Sequence, residues 1–155
     1  MFDSATSTTH PQPGARPPVG TALVVEDHPD FRELLSLSLQ GLGYDVLEAG
    51  DGKEALRLAR DSQVNLIVTD LGLPEMDGFD LVRHVRTRDQ DERDLKIVML
   101  TAYDRPEYIE KARHVGCDVV LSKPVDLDKL ECVINSLQQH DSESQLSGRP
   151  ACLRK

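Results

Sequence analysis

NLIVTDLGLPEMDG, residues 65–78, decides how this chain reads. Leu66-Ile67-Val68 is a short apolar run that ends in a carboxylate, Asp70. A turn bearing Pro74 and Gly78 follows, and a helical pattern starts at Asp77. A run this short, rich in β-branched residues and closed by a turn, predicts a buried parallel strand. Asp70 then stands at the carboxyl end of that strand, where open α/β sheets place their ligands. The side chain is in position to act as a nucleophile, and the rest of the chain is a test of that reading.

Working outward, the same strand–turn–helix pattern recurs. Ala22–Val25 predicts strand 1, ending in Glu26-Asp27, and the helical spacing of Phe31, Leu34, Leu35, Ser38, Leu39 and Leu42 predicts helix 1. Pro29 and Asp30 suit its first turn, and the Gly41 and Gly43 pair stops it. Strand 2 is expected over 44–49, and Ala55, Leu56 and Ala59 mark helix 2. Helix 3 is expected over 77–88, strand 4 over 95–100, helix 4 over 104–114, strand 5 over 117–121 and helix 5 over 126–139. Helix 4 has a thin apolar face, which predicts weak local stability. Five strands alternating with five helices predict an α/β fold. The form expected is a doubly wound, five-stranded parallel sheet of the flavodoxin-like type, with right-handed crossovers and strand order 2-1-3-4-5.

A chain of 155 residues is enough for one ordinary domain. Residues 1–20 are rich in Ser, Thr and Pro and read as a disordered leader; 21–139 form the domain; 140–155 read as a flexible tail. The segment 89–94 (DQDERD) reads as a solvated loop. Residues 21–139 carry 24 acidic and 14 basic side chains, a net of −10. The phosphate backbone would repel such a surface, so no nucleic-acid partner is expected. No secretory signal and no apolar run near the roughly 20 residues of a membrane span is present, which predicts a cytoplasmic protein without a membrane anchor. Cys117, Cys132 and Cys152 lack any metal-type spacing and are expected to be free thiols. His10, His28, His84, His114 and His140 lack ligand spacing and are expected to be surface residues, although His28 lies near the acid cluster. The glycines at 41–43 and 50–52 lack the context of a phosphate-binding loop.

If strands 1 and 3 are neighbours at the switch point, the strand ends converge. Glu26, Asp27, Asp70, Thr101 and Lys123 then share one pocket. Three carboxylates so close repel one another unless a cation lies between them. Magnesium suits such a hard oxygen site, because it accepts few carboxylates and keeps several waters. Thr101 offers a hydroxyl, and Lys123 a mobile point charge for phosphate oxygens. Phosphoryl transfer asks for in-line positioning, a metal and a cationic clamp, and a carboxylate nucleophile can form an aspartyl phosphate.

These residues carry a resemblance. The chain resembles the receiver domain of two-component response regulators at LVVED (23–27), DLGLPEMDG (70–78), LTA (100–102) and LSKP (121–124). The match spans roughly 21–139 and keeps the order and spacing of every part. The resemblance implies that Asp70 is the phosphoacceptor. It implies that Asp27 ligates Mg2+ directly, Glu26 mostly through water, and the Gly72 carbonyl as a further ligand. It implies that Thr101 binds the phosphoryl group and moves with it, that Lys123 pairs with the phosphoryl oxygens, and that the Lys123–Pro124 peptide is cis. One position departs from the pattern. Val120 stands where the family usually carries Tyr or Phe as an aromatic rotamer switch. Val120 and the KPVD ending (123–126) are similar to receivers appended to hybrid histidine kinases.

The function expected is that of a single-domain response regulator, not an enzyme beyond its own Mg2+-dependent phosphorylation and slow dephosphorylation. Its partners would be a histidine kinase or histidine phosphotransfer protein and a downstream protein target, the chain itself being a monomer or weak dimer. The region of strand 4, helix 4 and strand 5 would be the moving surface. The alternative is a phosphorelay intermediate or phosphate sink. A phosphorylation-independent docking module would be expected to have a broken acid site, which is not the case here. An aspartate-based phosphatase would want a second acid just after the nucleophile, where Leu71 and Gly72 stand. Gly72 leaves room for water near Asp70, and Tyr103 is expected to shield it.

Overall fold

The computed structural model describes residues 17–88, 95–102 and 105–142; the segment 89–94 and Tyr103 lie outside the described residues. Among the described residues ten elements alternate: β1 (Gly20–Val25), α1 (Pro29–Gly41), β2 (Tyr44–Ala49), α2 (Gly52–Asp61), β3 (Leu66–Asp70), α3 (Gly78–Arg88), β4 (Lys96–Thr101), α4 (Pro106–Val115), β5 (Val119–Ser122) and α5 (Leu127–Ser142). All strand pairs are parallel, in the order β2-β1-β3-β4-β5. This is the expected fold class and strand order.

Position in the sheet explains the composition of each strand. Every residue of the central β3 is buried, whereas β2 and β5, at the edges, are only partly covered. Side chains alternate between the faces with the period of two that a strand imposes. Leu23, Val25, Ile67, Ile97 and Met99 face one core with Ala55, Leu81, Val82 and Ala112 from α2, α3 and α4. Ala22, Val24, Leu66, Val68, Val98 and Leu100 face the other with Leu35, Leu39, Leu130, Val133 and Ile134 from α1 and α5. Each fully buried aliphatic side chain is worth about 1.5–3 kcal/mol relative to exposure.

Local chemistry places the helix ends. Asp51 accepts a hydrogen bond from Glu54 N–H at 2.8 Å and caps α2. Asp77 and Asp126 sit just outside α3 and α5 and accept from Asp80 N–H (2.9 Å) and Asp128 N–H (2.9 Å). They are caps, so each helix starts one residue later than the sequence pattern predicts. α4 ends at Gly116, whose φ of 118° is a left-handed conformation that glycine adopts at little cost.

Several expectations are corrected. Leu34 belongs to the periodic set of α1 but is 45% exposed, while Ser36 is buried and donates its hydroxyl to Arg32 O at 2.9 Å. Phe31, Leu34, Leu35, Leu37 and Leu39 spread over a broad arc of this helix, so periodicity alone does not set which line within the arc faces the sheet. Cys117 lies in the loop before β5 rather than in the strand, and α5 runs three residues past Gln139. Cys117 is a free, buried thiol as expected, with burial pushing its pKa up to about 12. Cys132 is disulfide-bonded, which corrects the free-thiol expectation there; separation along a chain carries no information about separation in space.

Candidate functional site

The site forms at the C-terminal ends of β1, β3 and β4 and the turn after β5. Four parallel strand ends point the same way, so the residues that follow each run of apolar side chains gather at one edge of the sheet. Glu26 follows β1. Its N–H donates to Ala49 O (3.1 Å), and its carbonyl accepts from Arg32 Nη1 (2.8 Å), which fixes the backbone there. Asp70 closes β3, and the loop behind it is tied down by bonds from Leu71 N–H to Leu100 O and Gly78 N–H to Leu71 O, both 2.9 Å. Thr101 closes β4 and is buried; its carbonyl accepts from Lys123 N–H at 2.8 Å. The Lys123–Pro124 peptide is cis, as expected.

The side chains converge closely. Lys123 Nζ lies 3.0 Å from Asp70 Oδ2 and 3.6 Å from Glu26 Oε2. One carboxylate oxygen each from Glu26, Asp27 and Asp70 lies within 4.8 Å of the others. Glu26 and Asp70 are buried and Asp27 is exposed, so the cluster opens to solvent on the Asp27 side. Gly72 N–H donates to Asp70 Oδ1 at 3.3 Å. Among the described residues, a methyl group in place of the Gly72 hydrogen would meet nothing within 4 Å.

The electrostatics of the cluster favour a cation. Burial, with the Asp70 charge second, pushes Glu26 up to about 7, and Lys123 offsets only part of this. Glu26 Oε2 is buried and has no hydrogen-bond partner among the described residues, Lys123 Nζ at 3.6 Å being too far for one. A buried, unpartnered carboxylate oxygen beside two more carboxylates is what a hard cation would satisfy. The all-oxygen donor set fits Mg2+.

The sequence-derived residues Glu26, Asp27, Asp70, Gly72, Thr101 and Lys123 therefore lie together, each at the strand end or loop expected. The family model of the response regulator receiver domain matches residues 22–135. The chain belongs to the response regulator receiver family. The receiver is 38% identical over 128 residues to the sensor protein EvgS of Escherichia coli K12; the match covers 83% of this chain but about a tenth (10%) of EvgS. Chemotaxis protein CheY4 of Vibrio cholerae matches with a TM-score of 0.68 at 34% identity, over 77% of this chain and 97% of that one. The response regulator TrrA of Thermotoga maritima, solved in complex with Mg2+-BeF, matches with a TM-score of 0.67 at 29% identity, over 77% of this chain and 99% of that one. Among the described residues, no helix of the receiver is long and apolar enough to cross a membrane.

Val120 lies on β5, half-buried against the core shared with Tyr108, Val115 and Ala112 of α4. Only Ala112 of α4 is fully buried, in line with the thin face read from the sequence. His28, read as a surface residue near the pocket, is exposed and caps α1, accepting from Phe31 N–H at 3.4 Å. Sequence reasoning missed two residues at the site. Arg32 holds the Glu26 carbonyl and pairs with Glu48 (3.4 Å), and the ring of Phe31 lies 5.2 Å from Lys123 Nζ. Both sit in the first turn of α1, where the pattern marks Phe31 only as an apolar helix residue.

Proposed function

We propose that this receiver accepts a phosphoryl group on Asp70 from the phosphohistidine of a histidine kinase or histidine phosphotransfer protein in the cytoplasm, and signals by contact with a protein target. The observation that carries the reading is the Asp70–Lys123 pair at 3.0 Å, with two further carboxylates beside it, at the open C-terminal edge of the sheet. A carboxylate oxygen of Asp70 attacks phosphorus in line. The O–P bond forms as the P–N bond breaks, and the imidazole leaves as the neutral ring, its other nitrogen protonated. Lys123, already within 3.0 Å of the nucleophile, neutralises an oxygen of the incoming group. The Thr101 hydroxyl, at the end of the neighbouring strand, binds another. Glu26, Asp27 and Asp70, with the Gly72 carbonyl, would hold Mg2+. When bound, the ion draws off negative charge from the phosphoryl oxygens.

The test is a phosphotransfer profile. The protein and an Asp70→Asn variant are incubated with Mg2+ and a panel of phosphorylated kinases and small acyl-phosphate donors. Label on the wild type alone supports the proposal; no label from any donor overturns it. A second reading is that the receiver is a phosphorelay intermediate or phosphate sink. Its support is the similarity to the sensor protein EvgS, together with Val120 in β5. Chasing the labelled protein with histidine phosphotransfer proteins separates the two: onward transfer supports the relay, and decay to free phosphate with no target bound supports the sink.

A further inference from the structure

We propose that Phe31 is a positioning residue of this site, its ring holding the Lys123 ammonium against Asp70. The inference rests on the phosphoacceptor reading above and adds a residue to it. Lys123 follows β5 directly, and its backbone is pinned by the bond from its N–H to Thr101 O at 2.8 Å. Its side chain is a long, freely rotating stem, so the direction of its charge depends on what surrounds its tip. Asp70 at 3.0 Å and Glu26 at 3.6 Å draw the ammonium inward. On the α1 side the ring centroid of Phe31 lies 5.2 Å from Nζ, within the reach of a cation–π contact.

The ring has neighbours of its own. Phe31 N–H donates to the His28 cap (3.4 Å), and the half-buried side chain packs against the core that includes Val125 and Leu127 near the Lys123 turn. An aromatic face suits this position better than the alternatives. A carboxylate would pull the ammonium away from Asp70 or add a fourth negative charge to the pocket. An aliphatic group would fill the space but offer the cation nothing. The ring attracts without a fixed hydrogen-bond direction, so Nζ remains free to move from the carboxylate oxygen to a phosphoryl oxygen as the group arrives. Its carbon surface also keeps water off that side of the ammonium, which strengthens the attraction to the reacting oxygens.

The experiment compares wild type, Phe31→Leu and Phe31→Tyr in three measurements: the rate of Asp70 labelling by acetyl phosphate, beryllofluoride affinity, and Mg2+ affinity. Urea denaturation first establishes that each variant is folded. Leu keeps the apolar bulk and loses the ring; Tyr keeps both. The expected result is a loss of roughly three- to tenfold in labelling rate and beryllofluoride affinity for Phe31→Leu, with Phe31→Tyr within about twofold of wild type. Mg2+ affinity should not fall in either, because the Lys123 ammonium beside Asp70 and Glu26 opposes a second cation there, and a looser ammonium opposes it less. Wild-type rates in Phe31→Leu, or an equal loss in Phe31→Leu and Phe31→Tyr, would overturn the proposal. A parallel loss of Mg2+ affinity would also overturn it, pointing to a general collapse of the pocket. Absence of label on the wild type would instead defeat the phosphoacceptor reading itself.

Discussion

Glu26→Gln should turn a pH-dependent protein into one that is far less so. Glu26 is 2% exposed and its carboxyl titrates at about 7 instead of the ordinary 4.5, because burial and Asp70 both oppose its charge. In the unfolded chain the group ionises at its ordinary value. Below pH 4.5 both states hold the proton and the group contributes nothing to the pH dependence. Between 4.5 and 7 the unfolded chain releases the proton while the native protein keeps it. The native state then binds more protons, so stability falls as pH rises. Above 7 both are ionised and the full penalty is in place. At about 1.4 kcal/mol per pH unit, the difference between 4.5 and about 7 amounts to about 3 kcal/mol. Urea denaturation in EDTA, from pH 5 to pH 8, reads this directly. The two proteins should be close in stability at pH 5, and Glu26→Gln should be more stable by about 2–3 kcal/mol at pH 8. A difference that stays constant across the range would refute the reasoning. So would a wild type that gains on the variant as pH rises.

Three further predictions follow from the same geometry. Mg2+ should raise the wild-type denaturation midpoint at pH 8, by about 2.7 kcal/mol at a hundredfold excess over its dissociation constant, and Asp27→Ala should lose most of that gain; equal stabilisation of both would remove Asp27 from the metal site. The loop behind Asp70 contains two glycines with opposite expectations. An added Cβ at Gly78 would lie 2.7 Å from Asp70 O and 2.9 Å from Leu71 Cα, both backbone, so Gly78→Ala should cost about 1–3 kcal/mol and slow labelling; at Gly72 it meets nothing, and Gly72→Ala should change stability by less than about 0.5 kcal/mol, as measured by urea denaturation. Arg86 donates to Gly116 O (3.0 Å), Leu95 O (2.9 Å) and Asp118 Oδ2 (2.9 Å), tying α3 to β4 and to the end of α4. Arg86→Ala should cost about 2 kcal/mol in the same assay, whereas Arg83→Ala, which loses an exposed pair with Asp80, should cost under about 0.5 kcal/mol.

Much of this is legible in the sequence, for reasons that particular residues make plain. Leu66–Asp70 announced a central strand because a strand covered on both faces must be apolar throughout, and a carboxylate closing such a run has few other places to be. The βα alternation then confined the topology, and parallel strands delivered Glu26, Asp70, Thr101 and Lys123 to one edge. Helix starts were legible to within a residue or two, because Asp and Pro at helix starts act through bonds to their own neighbours. What could not be read were facts of packing. The phase of α1, with Leu34 outward and Ser36 inward, depends on which line of the helix meets the sheet. The disulfide at Cys132 depends on which thiols folding brings within bonding distance.

The sequence by itself determined the order of the elements along the chain and which carboxylates close the strands, because these follow from local periodicity and turn chemistry; handedness narrowed the strand order, and the pairing of β1 with β3 settled it. Tertiary structure alone decided how the site is held and charged. It left Glu26 buried with an unpartnered oxygen and its pKa near 7. It set Lys123 at 3.0 Å from Asp70, brought Arg32 under the Glu26 carbonyl and laid Phe31 beside the ammonium. Distance, desolvation and the pairing of charges depend on residues far apart in the chain, and they come into being only when β1, β3 and the turn after β5 are packed together.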